Sequence, residues 1–218
     1  MRKLLLLRPE PGLAKSAERA RALGIEVITC PLFEVEPVGW EAPDPAGYDA
    51  LLLTSANAVR QGGPALDDLK MLPVHAVGAA TATAAREAGF RVESVGDSDM
   101  ADLLDALPEE LRLLHLAGED HRSTNHPRIE RRIIYRSAAI FDPGLPELER
   151  LVVAVHSPRA GRRLAQLAPV RGATAVAAIS AAAAAECGSG WERVEVADRP
   201  DDNSLLALAA RLCHTSPQ

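Results

Sequence analysis

The sequence predicts an α/β protein built as two parallel-sheet lobes joined by two extended crossing strands. Three observations predict it. Short apolar runs such as LLLL at 4–7, ALLL at 50–53 and VVAV at 152–155 are continuous rather than alternating, as in strands buried on both faces. These runs alternate with helical stretches, the pattern of a parallel sheet covered on both sides. The chain also repeats itself: the offset of 102 that carries Ser55 onto Ser157 carries Arg60 onto Arg162, Val74 onto Val176, Ala82 onto Ala184 and Arg91-Val92-Glu93 onto Arg193-Val194-Glu195.

Taken in order, Leu4 to Leu7 is the first strand, and Lys3-Leu4-Leu5 resembles Arg112-Leu113-Leu114, which opens the later unit. The first copy of the repeat reads as strand Tyr48 to Thr54, helix Ala56 to Gln61, strand Val74 to Val77, helix Thr81 to Ala88, strand Arg91 to Val95 and helix Met100 to Leu107. The second copy follows as strand Leu151 to His156, helix Arg159 to Leu167, strand Ala173 to Ile179, helix Ala181 to Glu186, strand Val194 to Ala197 and helix Asn203 to Leu212. Ile25 to Pro37 (IEVITCPLFEVEP) and Arg132 to Pro143 (RIIYRSAAIFDP) are rich in β-branched and aromatic residues and too long for one strand ending in a tight loop. They read as the two crossings. Carrying the chain out and back, they divide it into one lobe of residues 1–37 plus 140–218 and another of 38–139, with a ligand cleft expected between them at the carboxyl ends of the strands.

Composition narrows the function. Apolar residues make up 47% and charged residues 25%, a globular balance, while 3% aromatics leave the core to Ala, Leu, Val and Ile. A net charge of −6 has the wrong sign for a nucleic-acid partner. Cys30, Cys187 and Cys213 form no CxxC pair and fit neither a disulfide framework nor a zinc site, so a reducing cytoplasm is expected. MRKLLLL imitates a signal peptide, but Arg8-Pro9-Glu10 ends the run short of the roughly 7 to 15 apolar residues required. Ala173 to Ala185 is shorter than the ~20 residues of a membrane span.

GxxxxGK[ST], GxGxxG after a strand, HExxH and GxSxG are all absent. His121 and His126 lie in a polar stretch that reads as a solvated loop, as does the arginine-rich segment from Arg122 to Arg136. What remains are four strand-to-helix turns: Thr54-Ser55-Ala56-Asn57, Gly78-Ala79-Ala80-Thr81, Ser157-Pro158-Arg159 and Ser180-Ala181-Ala182. Small hydroxyl residues there are ordinary helix caps, yet the same turns present backbone N–H groups that suit carboxylates. Lys3, Lys15 and Lys70 are the only lysines among 24 cations, and the arginines that make up the rest favour bidentate carboxylate contacts. Tyr135, one of two tyrosines, sits in the second crossing, where its phenol could donate a hydrogen bond into a cleft.

These motifs resemble the uroporphyrinogen-III synthase family nearly end to end: LLLLRPEPG, Pro31 before the crossing strand, YDALLLTSANAV (48–59), LPVHAVGAATATAAREAGF (72–90), HLAGEDHR (115–122), IIYRS (133–137), VHSPRAG (155–161) and AISAAAAAECG (178–188). The resemblance implies Rossmann-like or flavodoxin-like lobes and a cytoplasmic, cofactor-free, metal-free enzyme, expected to be a monomer in transient contact with the preceding pathway enzyme. Its substrate would be the linear tetrapyrrole hydroxymethylbilane, closed to uroporphyrinogen III with inversion of ring D and loss of water. By position, Tyr135 and Thr81 match the catalytic tyrosine and threonine, and Arg8, Ser55, Asn57, Gly78, Gly118, Ser157, Arg159 and Ser180 match substrate-binding positions. The second lobe departs from the pattern, with Ser180 and Ala183 where glycine and threonine are usual, and the segment after Gly118 lacks a clear helix around Asn125 and Pro127. Two other classes compete: a catalytically silent two-lobed protein that binds a tetrapyrrole or other polyacid, disfavoured by Tyr135 and Thr81, and a sugar-binding clamshell, disfavoured by the scarcity of aromatics and the lack of an export signal.

Overall fold

The structure is a computed structural model that describes residues 1–96, 100–120 and 126–214. His121, Arg122 and Asn125 of the polar segment lie outside the described residues. The chain divides into two compact units, Met1–Glu34 with Ala139–Gln218, and Val35–Ala138.

The first unit holds a five-stranded parallel sheet of β1 (Leu4–Leu6), β2 (Val27–Thr29), β9 (Val152–Val155), β10 (Ala175–Ala178) and β11 (Arg193–Val196), in the spatial order β11-β10-β9-β1-β2. Counted along the unit, this is the flavodoxin-like order 2-1-3-4-5, with its switch point between β1 and β9. The leucine run makes sense at once. Leu4 and Leu6 face a layer formed by α1 (Gly12–Ala22) and α7 (Asp202–His214), whereas Leu5 and Leu7 face α5 (Pro158–Leu167) and α6 (Ala181–Glu186). With so few aromatics, close approach of small residues fills the second layer. A Cβ on Gly161 of α5 would stand 2.7 Å from the Ala183 carbonyl oxygen of α6, so that crossing requires glycine.

In the second unit β3 (Phe33–Pro37), β4 (Ala50–Leu53), β5 (Val74–Val77), β6 (Val92–Gly96), β7 (Leu113–Gly118) and β8 (Ile129–Ala139) form a sheet in the order β3-β8-β7-β4-β5-β6. The strands from β8 to β6 are parallel and follow a Rossmann-type 3-2-1-4-5 order, with the switch point between β4 and β7. Leu51, Leu53, Val74 and Ala76 pack against α2 (Ala56–Gln61) and α3 (Ala79–Glu87), while Ala50 and Leu52 meet Leu103 and Leu104 of α4 (Met100–Asp105).

Three sequence expectations change. Ile25 to Pro37 is not one extended crossing: Val27–Thr29 is an edge strand of the first sheet, and only Phe33–Pro37 runs on into the second. Cys30 and Leu32 still donate their N–H groups to the Leu6 and Leu7 carbonyls, and Pro31 between them has no N–H with which to extend that ladder. The N–H of Ile140 then donates to the Leu32 carbonyl and that of Val38 to the Ile134 carbonyl, so β3 and β8 run antiparallel. The arginine-rich stretch is a strand from Ile129 onward rather than a loop, and its described arginines have partners. Arg128 donates to the carbonyls of Leu104, Leu107 and Pro108, Arg132 pairs with Glu130, and Arg136 pairs across to Glu36 at 2.6 Å. Helix α1 is the third change, an element the apolar spacing does not announce.

Burial also sets an acid limit on the second unit. His75 of β5 is 4% exposed, its Nδ1 lies 2.7 Å from Ser94 Oγ, and burial lowers its pKa against an opposing pull from Glu93. As pH falls through the ordinary imidazole range near ~6.5, the unfolded chain takes up a proton that the folded chain refuses, so stability declines with acidity. His75→Gln is expected to flatten the fall of Tm between about pH 7 and about pH 5, followed by circular dichroism.

Candidate active site

In the second sheet the predicted residues are carried on β4, β5, β7 and β8 or on the turns that follow them. β4 runs into Thr54 and Ser55. The Thr54 hydroxyl lies 3.1 Å from Nε2 of His115 on β7, tying together the two strands of the switch point. Ser55 is extended at φ −151°, and its Oγ accepts the N–H of Asn57 at 3.2 Å as the cap of α2, while the Asn57 side chain accepts from Arg60. β5 runs into Gly78, whose φ of +81° lies in the left-handed region that favours glycine. The Gly78 N–H donates to the Gly96 carbonyl at 2.7 Å, and the Gly78 carbonyl accepts from Thr81 and Ala82, which starts α3. Thr81 itself is buried, at 5% exposure.

β7 ends at Gly118, the register partner of Tyr135 on β8, where a bulge interrupts the ladder. A Cβ on Gly118 would stand 2.5 Å from Cε2, 2.6 Å from Cζ and 3.0 Å from the hydroxyl of Tyr135, so the half-buried phenol lies directly over the glycine. The Glu119 N–H donates to the Tyr135 carbonyl at 3.0 Å and fixes the backbone beneath the ring. The other tyrosine plays a different part. Tyr48 precedes β4 at the amino end of its strand, and burial, reinforced by a hydrogen bond to Glu130, pushes its phenol up to about 12.

The first unit presents Arg8, Ser157, Arg159 and Ser180 along the carboxyl edge of its own sheet. Ser157 Oγ accepts the Ala160 N–H at 3.1 Å and Ser180 Oγ accepts the Ala183 N–H at 3.3 Å. Arg159 stacks on Phe33 with its guanidinium carbon 4.5 Å from the ring centroid. The departure from the family pattern has a backbone reason: Ser180 is extended at φ −155°, a conformation any residue adopts, whereas its repeat counterpart Gly78 is left-handed. The three serines therefore act as caps in both units. Ser55→Ala or Ser180→Ala is expected to cost on the order of 1 kcal/mol of stability while leaving the backbone N–H groups in place, as denaturant unfolding should show.

Sequence reasoning missed one cluster here. Asp202, the first residue of α7, accepts from Ser16 Oγ at 2.7 Å, from Arg8 Nη1 at 3.1 Å and from Arg19 Nη1 at 2.9 Å, and lies 2.9 Å from His156 Nε2. Burial alone would raise its carboxyl, but the bonds from His156 and Ser16, the charge of His156 and the bond from Arg19 hold it well below the usual carboxylate range. Its partners are too distant in sequence for any spacing rule to have joined them.

Comparisons with known proteins bear on the fold and the family. A solved uroporphyrinogen-III synthetase from Helicobacter pylori is similar at a TM-score of 0.69 and 19% identity, covering 97% of this chain and 100% of that one, which shows the fold. A uroporphyrinogen III synthase from Thermus thermophilus is matched at a TM-score of 0.41 and 19% identity over 96% of this chain and 97% of that one, and a mutant of it at 0.47 and 18% over 96% and 98%. No curated protein matches the chain in sequence. The family model for uroporphyrinogen-III synthase HemD matches residues 14–207. Since that span takes in every strand-to-helix turn above and leaves out Arg8 alone among the predicted site residues, this chain belongs to the uroporphyrinogen-III synthase family.

Proposed function

We propose that this chain is a cofactor-free, cyclising hydro-lyase that converts hydroxymethylbilane to uroporphyrinogen III. Loss of the terminal hydroxyl as water leaves an azafulvene, ring D attacks it through its substituted carbon to give a spiro-pyrrolenine, and that intermediate fragments and recloses with the ring reversed. The substrate closes unaided to the type I isomer, so the catalytic task is chiefly orientation. In this reading Tyr135 donates a hydrogen bond to the departing hydroxyl, directly or through water, with Thr81 beside the same edge. Arg8, Arg159 and the turns at Ser55, Asn57, Gly78, Gly118, Ser157 and Ser180 receive substrate carboxylates. The observation that carries the proposal is that the turns bearing Ser55, Gly78, Ser157 and Ser180 follow the carboxyl ends of parallel strands, where open α/β sheets bind ligands, with Tyr135 lying against Gly118 at the end of β7.

The lobes are read as 1–37 plus 140–218 and 38–139, acting as a cytoplasmic monomer that meets the preceding pathway enzyme transiently. No helix among the described residues is long and apolar enough to cross a membrane. Generating hydroxymethylbilane in situ, adding the protein after exhaustive dialysis against a chelator, oxidising the products and separating the isomers tests the whole reading. Mainly type III porphyrin is expected. Only type I product at high protein concentration would return the chain to the silent-binder class, a reading that the family match disfavours.

A further inference from the structure

Arg8 is half of an arrangement whose other half is Asp202. Nη1 of Arg8 donates to both Ser16 Oγ at 3.0 Å and Asp202 Oδ1 at 3.1 Å, while Ser16 Oγ donates to Asp202 Oδ1 at 2.7 Å. A planar guanidinium held at one nitrogen by two bonds has its whole plane fixed. The opposite edge, Nε and Nη2, bonds to none of the described residues, and the side chain is 31% exposed. Gly12, the first residue of α1, lies against the face of the guanidinium: a Cβ there would stand 2.5 Å from Nε and 2.6 Å from both Cζ and Nη2. Only glycine lets the guanidinium rest this close to the start of α1, and Nε and Nη2 are the two parallel donors with which an arginine grips a carboxylate. The edge sits beside the switch point between β1 and β9, since Arg8 follows the first strand and His156 the second.

We propose that Asp202 is the positioning residue of Arg8, clamping one side of the guanidinium so that its Nε–Nη2 edge, its face resting against Gly12, forms a bidentate socket for one carboxylate of the substrate. The proposal rests on the functional reading above and assigns that reading a residue that it lacks. The negative charge of Asp202 does not repel the incoming carboxylate, because Arg19 neutralises its second oxygen at 2.9 Å while Arg8 engages the first. Ser16, fully buried, is the fixed post against which both partners rest.

The test uses the full chain and initial rates of type III formation across hydroxymethylbilane concentrations. Asp202→Asn is expected to raise KM by about tenfold with a much smaller change in kcat, and Arg8→Ala to do the same. The double variant should be no worse than Arg8→Ala alone, because both changes empty one socket. Gly12→Ala removes no charge and leaves Asp202 its bonds from Ser16 and Arg19, but the added methyl group displaces the Arg8 guanidinium from its seat, so it should reproduce the rise in KM. If Asp202→Asn does not fold, Gly12→Ala decides the matter. An unmoved KM in the variants, or effects of Asp202→Asn and Arg8→Ala that multiply in full, overturns this inference while leaving the function standing. A wild-type chain yielding only the type I isomer overturns both.

Discussion

Tyr135→Phe is expected to slow type III formation by about 100-fold or more, with the type III fraction of the enzymic product staying high. The substitution removes one hydroxyl and almost no volume, and the ring's seat over Gly118 is unchanged. Separating rate from isomer ratio is the informative part. A group that assists departure of the leaving hydroxyl sets how fast the azafulvene forms, whereas the ring chosen for reversal is set by how the chain is held. Thr81→Ala, at a buried position, should fall between Tyr135→Phe and the serine-cap variants. Full rate in a Tyr135→Phe protein with an unchanged Tm would make the tyrosine a packing residue of β8 and end its assigned role.

Gly118→Ala should cost nearly as much, although it removes nothing. The added methyl group would need the space now occupied by Cε2 and Cζ of Tyr135, at 2.5 and 2.6 Å, and the ring must swing away. A displacement of about 1 Å at a reacting group can cost on the order of 100-fold in rate. Because the loss runs through Tyr135, adding Tyr135→Phe to Gly118→Ala should produce little further decline in kcat. Multiplying losses would show instead that Gly118 acts on the substrate by itself.

The sequence made the central strands legible because a run such as LLLL or VVAV has no polar face to leave exposed, and both were found buried at every position. Helix boundaries at Ala56–Gln61 and Ala181–Glu186 were equally plain, each set by a serine cap. Helix α1 was hidden because the face it buries is Leu13, Ser16, Ala17 and Ala20, with one large apolar side chain in three turns. The split of Ile25 to Pro37 was hidden for the opposite reason, since both halves are equally apolar and only the missing N–H of Pro31 marks the break. The strand-to-helix turns that carry the predicted residues could be read from the chain, whereas the Asp202 cluster could not: its partners stand at 8, 16, 19 and 156, joined by the fold and not by spacing.

The division of the chain at Glu34 and Ala139 separates the order of synthesis from the order of burial. β1 lies between β2 and β9, and Leu4, Leu5 and Leu6 take Val152, Val153 and Ala154 as their partners on one side. None of those partners exists when the leucines leave the ribosome, and at typical elongation rates of about 5–20 residues per second they follow on the order of ten seconds later. The inserted unit, contiguous from Val35 to Ala138, has all its strands in hand before the first unit has its third. One of the most apolar segments of the protein is therefore translated well before its burial is complete: β2 and α1 can meet it early, but its β9 side stays open while the whole second unit is made.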